Sequence, residues 1–401
     1  MVKNIIVTNL NKYEQSIIKN SDWFIANQKE EGYIDLEGDE FYGIKGDATL
    51  VGHSITIRMY AFALTKNKRY LKSAEKSLKW LAERQDQEGG WKKHSGFTLD
   101  AAQCVFEGFN TYQNMTGDIR YQKTLEKAIE RMITGTIDNK GNLLLPDIIE
   151  IGEYAHFSLL GWKSIKKERY KEMGEAILDH IYNNFNEKEG FWNPYDKNRE
   201  SPSLSFLIKP ILRWFVRTFS LKGKFIAKIS SILLPFVVVK TQPQYSMNLM
   251  DAEMLLDTLD GSCSYPKLKE QTQRAIGWVK KHCNGPFPGS LVESKNIETS
   301  KQIYPLKIIN NTTMAAAWPT SCLLLAYCGL NNKKYKKEAK QTADYLISMQ
   351  DKKGGFYNFQ KPNGKFLPLQ SGNVNYYVSM ALWVYNEVYE HGKIKLFTKS
   401  S

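Results

Sequence analysis

The chain has 401 residues, of which 42% are hydrophobic and 24% are charged, a composition typical of globular proteins with a large core. Its formal net charge of +13 predicts an acidic partner: a phospholipid surface, an anionic polymer or nucleic acid. The five cysteines include no CxxC pair, residues 1–20 hold no apolar run of signal-peptide length, and no stretch is long and uncharged enough to span a bilayer. These features predict a cytoplasmic protein, and we expect no metal and no cofactor.

Six tyrosines open similar blocks along the chain: Tyr13, Tyr70, Tyr121, Tyr170, Tyr265 and Tyr335. The residue eleven positions after each tyrosine is apolar, and the residues four and eight positions after it are mostly small or apolar, such as Ala74 and Leu78. This spacing forms one apolar stripe along an amphipathic helix. Because lysine and glutamate fill most other positions, the pattern predicts six outer helices that face solvent.

Each block ends at a glycine turn, most clearly in the segments 85–91 (QDQEGGW) and 350–356 (QDKKGGF). Glycine adopts the positive φ that ends a helix. A second, less charged helix is predicted after each turn, at Asp47–Leu64, Thr98–Gln113, Ile148–Ser164, Tyr245–Leu259, Asn311–Tyr327 and Asn375–Tyr389. Alanine, leucine, methionine and aromatic residues dominate these segments. We therefore expect them to be buried nearly all round and to form an inner ring.

An outer helix, a glycine turn and an inner helix, repeated six times, predict an all-α fold, an (α/α)6 toroid. We expect residues 1–401 to form a single toroid domain. Two of the intervals between the block tyrosines are too long for one hairpin. They place one insertion at about residues 193–244 and a shorter one at about residues 285–310.

The ends of the outer helices resemble the QW motif of terpenoid cyclases, in which glutamine, then glycine and an aromatic residue, follow the helix. The matching residues are Trp80-Leu81, Gln85 and Gly90-Trp91, and again Tyr345-Leu346, Gln350 and Gly355-Phe356. The same toroid is used by protein prenyltransferase β subunits, and six-hairpin versions by polysaccharide lyases, unsaturated-uronide hydrolases and uronyl C5-epimerases. The resemblance implies the architecture alone, because the Asp-x-Asp-Asp and Asp-Asp-x-x-Asp clusters of the cyclases are absent from the sequence.

The first insertion contains a basic amphipathic pattern. In residues 206–219, large apolar residues alternate with cations spaced every four residues, and no acidic residue lies between positions 200 and 251. This pattern is typical of helices that lie in the lipid headgroup layer. We expect five residues to bind an anionic membrane surface on the inner face of the membrane: Trp214, Phe215, Lys209, Arg213 and Arg217. The alternatives are packing on the barrel and an oligomer or protein interface. Nucleic acid is not expected, because these cations lie among aliphatic residues.

Polar residues near the first turns of the inner helices are the candidate site residues, since toroids of this type bind ligands in the funnel that the inner helices enclose. A glutamate, a histidine and a tyrosine facing one cavity suit proton abstraction or glycosidic cleavage. The predicted catalytic residues are Tyr154, His156, Glu150 and His53. The predicted substrate-binding residues are Arg58, Asp100, Asp251, Asn311, Trp318, Asn375 and Tyr376. The alternative is that these residues cap helices or satisfy hydrogen bonds in the core.

These features predict a membrane-docked, carbohydrate-active protein of the lyase, epimerase or hydrolase type. Its substrate would be a glycan or a lipid-linked glycan in cell-surface polysaccharide biosynthesis or modification. One alternative is a terpenoid cyclase-like or isoprenoid-binding toroid, and another is a non-catalytic scaffold. The funnel lining discriminates between the first two. Hydroxyl, amide and charged groups favour a sugar, whereas a continuous aromatic wall with one acid favours a polyprenyl chain.

Overall fold

The computed structural model describes residues 10–36, 46–94, 98–136, 151–183, 185–188, 190–192, 267–292, 314–368 and 370–392. In this part of the chain the helices are α1 (Lys12–Ala26), α2 (Ala48–Thr65), α3 (Lys68–Ala82), α4 (Thr98–Thr116), α5 (Gln122–Thr136), α6 (Ile151–Ile165), α7 (Glu168–Asn183), α8 (Leu268–His282), α9 (Ala317–Leu330), α10 (Lys336–Ser348) and α11 (Gly372–Tyr385). A short π-helical segment, Asn386–Glu390, continues α11.

The outer helices are α1, α3, α5, α7, α8 and α10, and they have one buried face. In α3 the block positions Tyr70, Ala74, Leu78 and Leu81 are all buried, whereas most of the lysines are exposed. The inner helices are α2, α4, α6, α9 and α11. Nearly every residue of α9 is buried, so this helix has no face that needs charge. The inner helix predicted at residues 245–259 lies outside the described residues.

The helices close into a ring. Each inner helix packs on the outer helix that follows it, the neighbouring inner helices α2 and α4 pack together, and α11 packs on both α1 and α2. The closure also includes polar contacts. Tyr13 in the first outer helix donates a hydrogen bond to Asp344 in the last one (2.7 Å). The structure thus confirms the predicted all-α, six-hairpin toroid.

Glutamines at the ends of outer helices join neighbouring hairpins. Gln28, Gln85 and Gln350 each donate a side-chain hydrogen bond to a backbone carbonyl in the next outer helix around the ring. The acceptors are Ser73, Thr124 and Ser16, at 2.9 Å in each case. Each acceptor lies three residues after a block tyrosine. The repeated glutamine therefore has a structural role, which is to link consecutive hairpins.

The glycines after these glutamines allow each turn to pack closely against the next outer helix. Gly32, Gly89 and Gly354 have φ values of +110°, +87° and +99°. A Cβ atom on any of them would collide with a backbone carbonyl oxygen of the next outer helix, that of Lys76, Lys127 or Lys19 respectively. Only glycine adopts a positive φ without strain and also has no Cβ atom to collide with this oxygen. The glycine turns of the sequence are thus packing contacts between hairpins.

Short strands lie in the turns that lead from outer to inner helices. β1 (Phe185–Asn186) pairs with β2 (Phe191–Trp192), and β3 (Leu291–Val292), β4 (Ala315–Ala316) and β5 (Phe359–Gln360) form an antiparallel sheet in that order. Because β4 directly precedes α9, the fifth inner helix begins at Ala317 and not at the predicted Asn311. Across the described helices, none combines the length and the apolar character needed to cross a membrane.

Candidate active site

Four aromatic side chains from three inner helices form one cluster, which we call the aromatic cluster: His53, Tyr376, Tyr377 and Trp318. The His53 ring in α2 stacks on the Tyr376 ring in α11, with centroids 3.8 Å apart and planes 1° apart. Tyr377 lies edge-on to both rings, at 5.7 and 4.9 Å. Trp318 in the first turn of α9 lies 6.3 Å from Tyr377. The structure therefore brings together three residues that the sequence nominated separately: His53, Tyr376 and Trp318.

The aromatic cluster has a buried half and an accessible half. His53 and Tyr376 are almost fully buried, with 2% and 1% of their surface exposed, whereas Trp318 and Tyr377 are half-buried. Trp318 and Tyr377 lie in the first two turns of their helices, at the end of the ring where the inner helices begin. Trp318 and Tyr377 are therefore the part of the aromatic cluster that solvent reaches.

Beneath the aromatic cluster lies a buried carboxyl group. Glu107, in the middle of α4, accepts a hydrogen bond from the Tyr376 hydroxyl at 2.5 Å. Burial raises the pKa of Glu107 from its ordinary value of 4.5 to about 7, and the hydrogen bond from Tyr376 opposes part of that rise. Glu107 can therefore exist as the acid or as the carboxylate near neutral pH.

The two rings next to Glu107 stay in their neutral forms near neutral pH. Burial and the nearby Glu107 charge raise the pKa of Tyr376 well above 10, so its hydroxyl remains a donor. Burial lowers the pKa of His53 to about 3, although a hydrogen bond with the Asn373 side chain acts in the opposite direction. The imidazole is therefore uncharged near neutral pH. The His53 Nδ1 atom has no hydrogen-bond partner among the described residues.

This arrangement suits proton transfer. A carboxyl group with a pKa near the working pH can give or take a proton, and it is more effective in a buried setting that excludes bulk water. The half-buried faces of Trp318 and Tyr377 offer stacking surfaces for a ring-shaped substrate. Among the described residues, no group of three or more histidine, cysteine, aspartate or glutamate side chains is placed to hold a metal ion.

Arg58 lies away from the aromatic cluster. Its guanidinium donates hydrogen bonds back to Ser54 and across to Ser73 and Ser77 of α3, all between 2.7 and 2.9 Å. The side chain is fully buried between an inner and an outer helix. These contacts give Arg58 a structural role, and we place it outside the candidate site.

The side chain of Asn375 is also hydrogen-bonded within the protein. Its amide donates to the Ser371 carbonyl (2.8 Å), and its carbonyl oxygen accepts hydrogen bonds from the Phe356 backbone and the Asn20 side chain, both at 2.7 Å. These bonds tie the last glycine turn to α1 and α11. We therefore assign Asn375 to ring closure, although it adjoins Tyr376 in the sequence.

Tyr154 and His156 lie in α6, and both are almost fully buried. The His156 ring packs edge-on against Phe157 at 5.0 Å, and Phe157 packs against Phe106 of α4 at 5.9 Å. Phe106 directly precedes Glu107 in the sequence. The predicted pair thus belongs to the inner-helix wall next to Glu107, and its catalytic role stays a prediction.

Other predicted residues lie outside the described part of the structure. They are Glu150, Asp251 and Asn311 of the site, and Lys209, Arg213, Trp214, Phe215 and Arg217 of the predicted membrane segment. The backbone of Asp100 is in α4, but its side chain is outside the described atoms. The first predicted insertion and residues 293–310 of the second lie outside as well.

Glu107 was not among the residues selected from the sequence. Within the segment Ala101–Tyr112 it is the only charged residue. An isolated acid in the middle of an inner helix was the available signal, and selecting only polar residues near the first turn missed it.

No protein-family model matches the sequence, and no curated protein matches it at a significant level. Solved structures do match. The cellobiose 2-epimerase from Spirochaeta thermophila aligns over 96% of this chain and 99% of its own, at 11% identity and a TM-score of 0.65. A D-mannose isomerase aligns over 94% and 97%, at 13% identity and a TM-score of 0.63. An unsaturated glucuronyl hydrolase specific for heparin aligns over 96% and 99%, at 13% identity and a TM-score of 0.59.

The chain has the six-hairpin fold of these sugar-active enzymes. At 11–13% identity the likeness extends to the architecture, since function depends on individual side chains that such a match does not compare. The near-complete coverage of both chains means that the whole ring is shared. These three solved structures are of sugar-active enzymes, as are the six-hairpin enzymes in the resemblance seen in the sequence.

Proposed function

We propose that this protein is an enzyme that acts on a glycan, and that Glu107 exchanges a proton with the substrate. The observation that carries the proposal is the position of Glu107, held by the Tyr376 hydroxyl beneath the aromatic cluster. Its raised pKa suits it to proton transfer near neutral pH. The sugar-active enzymes that share the fold support the choice of a glycan as substrate.

The neighbouring residues have distinct roles in this proposal. Trp318 and Tyr377 provide the stacking faces for the sugar ring. Tyr376 positions Glu107, because its buried hydroxyl donates a hydrogen bond to one oxygen of the carboxylate. His53 holds the Tyr376 ring in place by stacking.

The same carboxyl group suits each of the three proposed reaction types. In a lyase or an epimerase, the Glu107 carboxylate would take a proton from a carbon next to a carboxylate or carbonyl group. In a hydrolase, the protonated form would give a proton to the departing glycosidic oxygen. The proposed setting is cell-surface polysaccharide biosynthesis or modification in the cytoplasm at an anionic membrane, which rests on residues 206–219 and the net charge of +13.

The test is a screen of reducing oligosaccharides and acidic polysaccharides against the wild type and Glu107→Gln. Three readouts separate the reaction types: ultraviolet absorbance of an unsaturated product, uptake of solvent deuterium at carbon, and release of new reducing ends. We expect one readout to respond to the wild type and to fall by about 10²–10⁴-fold in the variant. Activity that Glu107→Gln retains in full would reject Glu107 as the proton-transfer group.

A second candidate function has one observation in its favour. The described lining of the site is a wall of aromatic rings around a single protonatable acid, the arrangement expected for a polyprenyl chain. In that case Glu107 would protonate an isoprenoid double bond, and the cation would be stabilised by the faces of Trp318 and Tyr377. Incubation with polyprenyl substrates, followed by analysis of hydrocarbon products, tests this candidate. Cyclised products with no glycan activity would replace the first proposal.

A further inference from the structure

The two ends of the ring differ in charge. Four described segments, each made of the turn after an inner helix and the residues that flank it in the two helices, lead into the next outer helix at residues 65–72, 116–123, 163–172 and 331–338. Together they hold fifteen lysines and arginines and four acidic residues. In a ring of alternating hairpins all inner helices run in one direction, so these turns share one end. We call it the basic end.

The opposite end, where the candidate site opens, is balanced. The turns that lead from outer to inner helices at residues 27–36, 83–94, 185–192, 283–292 and 349–370 hold nine basic and nine acidic residues. The excess positive charge of the described turns is therefore concentrated on the face away from the site. A solvated surface without a partner gives no reason for this asymmetry.

Most of the cations at the basic end are available to a partner. Nine exposed lysines form no ion pair with another described residue: Lys66, Lys68, Lys72, Lys123, Lys166, Lys333, Lys334, Lys336 and Lys337. The arginines at this end, in contrast, form ion pairs. Arg69, Arg120 and Arg169 pair with Asp22, Glu75 and Glu130 of the preceding outer helices. The arginines thus link neighbouring outer helices, and the lysines project charge into solvent.

Apolar side chains are exposed among these cations. Ile119 is 68% exposed and Met115 is 37% exposed, both at the α4–α5 turn. Trp162 is half-buried near the end of α6, with the ammonium groups of Lys166 and Lys171 at 5.8 and 5.2 Å from its ring. Of the three large hydrophobic residues most exposed in the described structure, only Phe366 lies at the other end. Cations that share one end of the ring with exposed aliphatic and tryptophan side chains match the headgroup layer of a bilayer.

We propose that the basic end docks on an anionic lipid bilayer, with Ile119 and Met115 entering the headgroup layer. The ring would then stand with the candidate site facing away from the bilayer, open to a soluble glycan. A soluble polyanion would satisfy the lysines but would leave Ile119 and Met115 in water, so the lipid surface fits better. The proposal does not depend on catalytic activity. It rests on the basic end alone; docking through residues 206–219 is the alternative, and the second test decides between the two.

The first test compares two variants with equal charge change. The basic-end variant carries Lys66→Glu, Lys68→Glu, Lys333→Glu and Lys334→Glu. The site-end control carries Lys93→Glu, Lys352→Glu, Lys353→Glu and Lys365→Glu, four exposed lysines that also lack a described ion pair. Binding is measured by sedimentation with vesicles of phosphatidylglycerol and phosphatidylcholine. We expect the basic-end variant to bind at least about tenfold more weakly than the control.

The second test examines the apolar contact and the predicted membrane segment. Ile119→Ser should weaken vesicle binding severalfold, whereas Phe366→Ser at the other end should leave it unchanged. A chain without residues 202–239 should still bind through the basic end. Equal binding by the two charge variants, or loss of binding on that deletion alone, would overturn the proposal. So would a wild type that binds dextran sulfate but no anionic vesicles.

Discussion

The Tyr376 hydroxyl donates a hydrogen bond to the Glu107 carboxylate, and this contact joins the last inner helix to the second one. The two residues are 269 positions apart in the sequence, and only closure of the ring brings them together. The contact also lowers the pKa of Glu107, which burial has raised. One hydrogen bond therefore contributes both to the closed ring and to the acidity of the candidate catalytic group.

Removal of this hydroxyl should change the pH dependence of activity. In Tyr376→Phe the pKa of Glu107 should rise further above 7, because a hydrogen bond that favours the carboxylate is lost. The pH–rate profile should shift to higher pH by the same amount. Tyr170→Phe is the matched control, since it removes a tyrosine–glutamate hydrogen bond, to Glu130, on the outside of the ring (2.9 Å). A shift of equal size in both variants would contradict the role given to Tyr376.

Glu107 should make the folded state less stable as the pH rises. Its pKa is about 7 when folded and 4.5 unfolded, so between these values the folded state binds more protons. The contribution of Glu107 to the free energy of unfolding is greatest below pH 4.5. It falls by up to about 3 kcal/mol as the pH rises through 7. Urea unfolding over this range measures the effect. Glu107→Gln should remove it, and a variant with the wild-type slope would disprove the assignment.

His53 should have the opposite effect at lower pH. Its pKa falls from 6.5 to about 3 on folding, so the folded state binds fewer protons between these values. Stability from His53 is present above pH 6.5 and is lost as the pH falls toward 3. Between pH 4.5 and 6.5 the two groups oppose each other. In His53→Gln only the Glu107 effect remains. The free energy of unfolding should therefore fall more steeply in this variant than in the wild type as the pH rises from 4.5 to 6.5.

Loss of Arg58 should destabilise the fold without changing substrate affinity. Arg58→Met leaves the Ser73 carbonyl and the Ser54 and Ser77 hydroxyls with fewer partners, which should cost about 3 kcal/mol in the free energy of unfolding. KM should stay at the wild-type value. Arg69→Met, which removes an exposed ion pair with Asp22, should cost less than about 1 kcal/mol. A raised KM in Arg58→Met would restore Arg58 to the substrate site.

The glycine contact between hairpins can be separated from the positive φ of the same residue. Gly354 and Gly364 have φ values of +99° and +83°, but only Gly354 has a neighbouring carbonyl oxygen, that of Lys19, where a Cβ would lie. Gly364→Ala should cost about 1–2 kcal/mol, the strain of a left-handed alanine. Gly354→Ala should cost at least about twice as much, because Lys19 and α1 must also move. Chemical denaturation of both variants compares the two costs.

The helices and the ring could be predicted from local patterns. The stripe from Tyr70 through Ala74 and Leu78 marks an outer helix, because only one side of such a helix is buried. The glutamines and glycines recur because each hairpin makes the same contact with the next, as Gln28 and Gln85 do. A contact that repeats around a ring leaves a repeated signal in the sequence, and the six-hairpin architecture follows from it.

The residues that form the candidate site depended on the tertiary structure. An inner helix such as α2 or α9 is buried on all sides, so its sequence has no polar face to show which residues point toward the axis of the ring. Arg58 and His53 lie five residues apart in α2, yet one bonds to the outer helix α3 and the other stacks on Tyr376. The partner of Glu107 comes from the other end of the chain. Such pairings have no sequence period, and only the closed ring determines them.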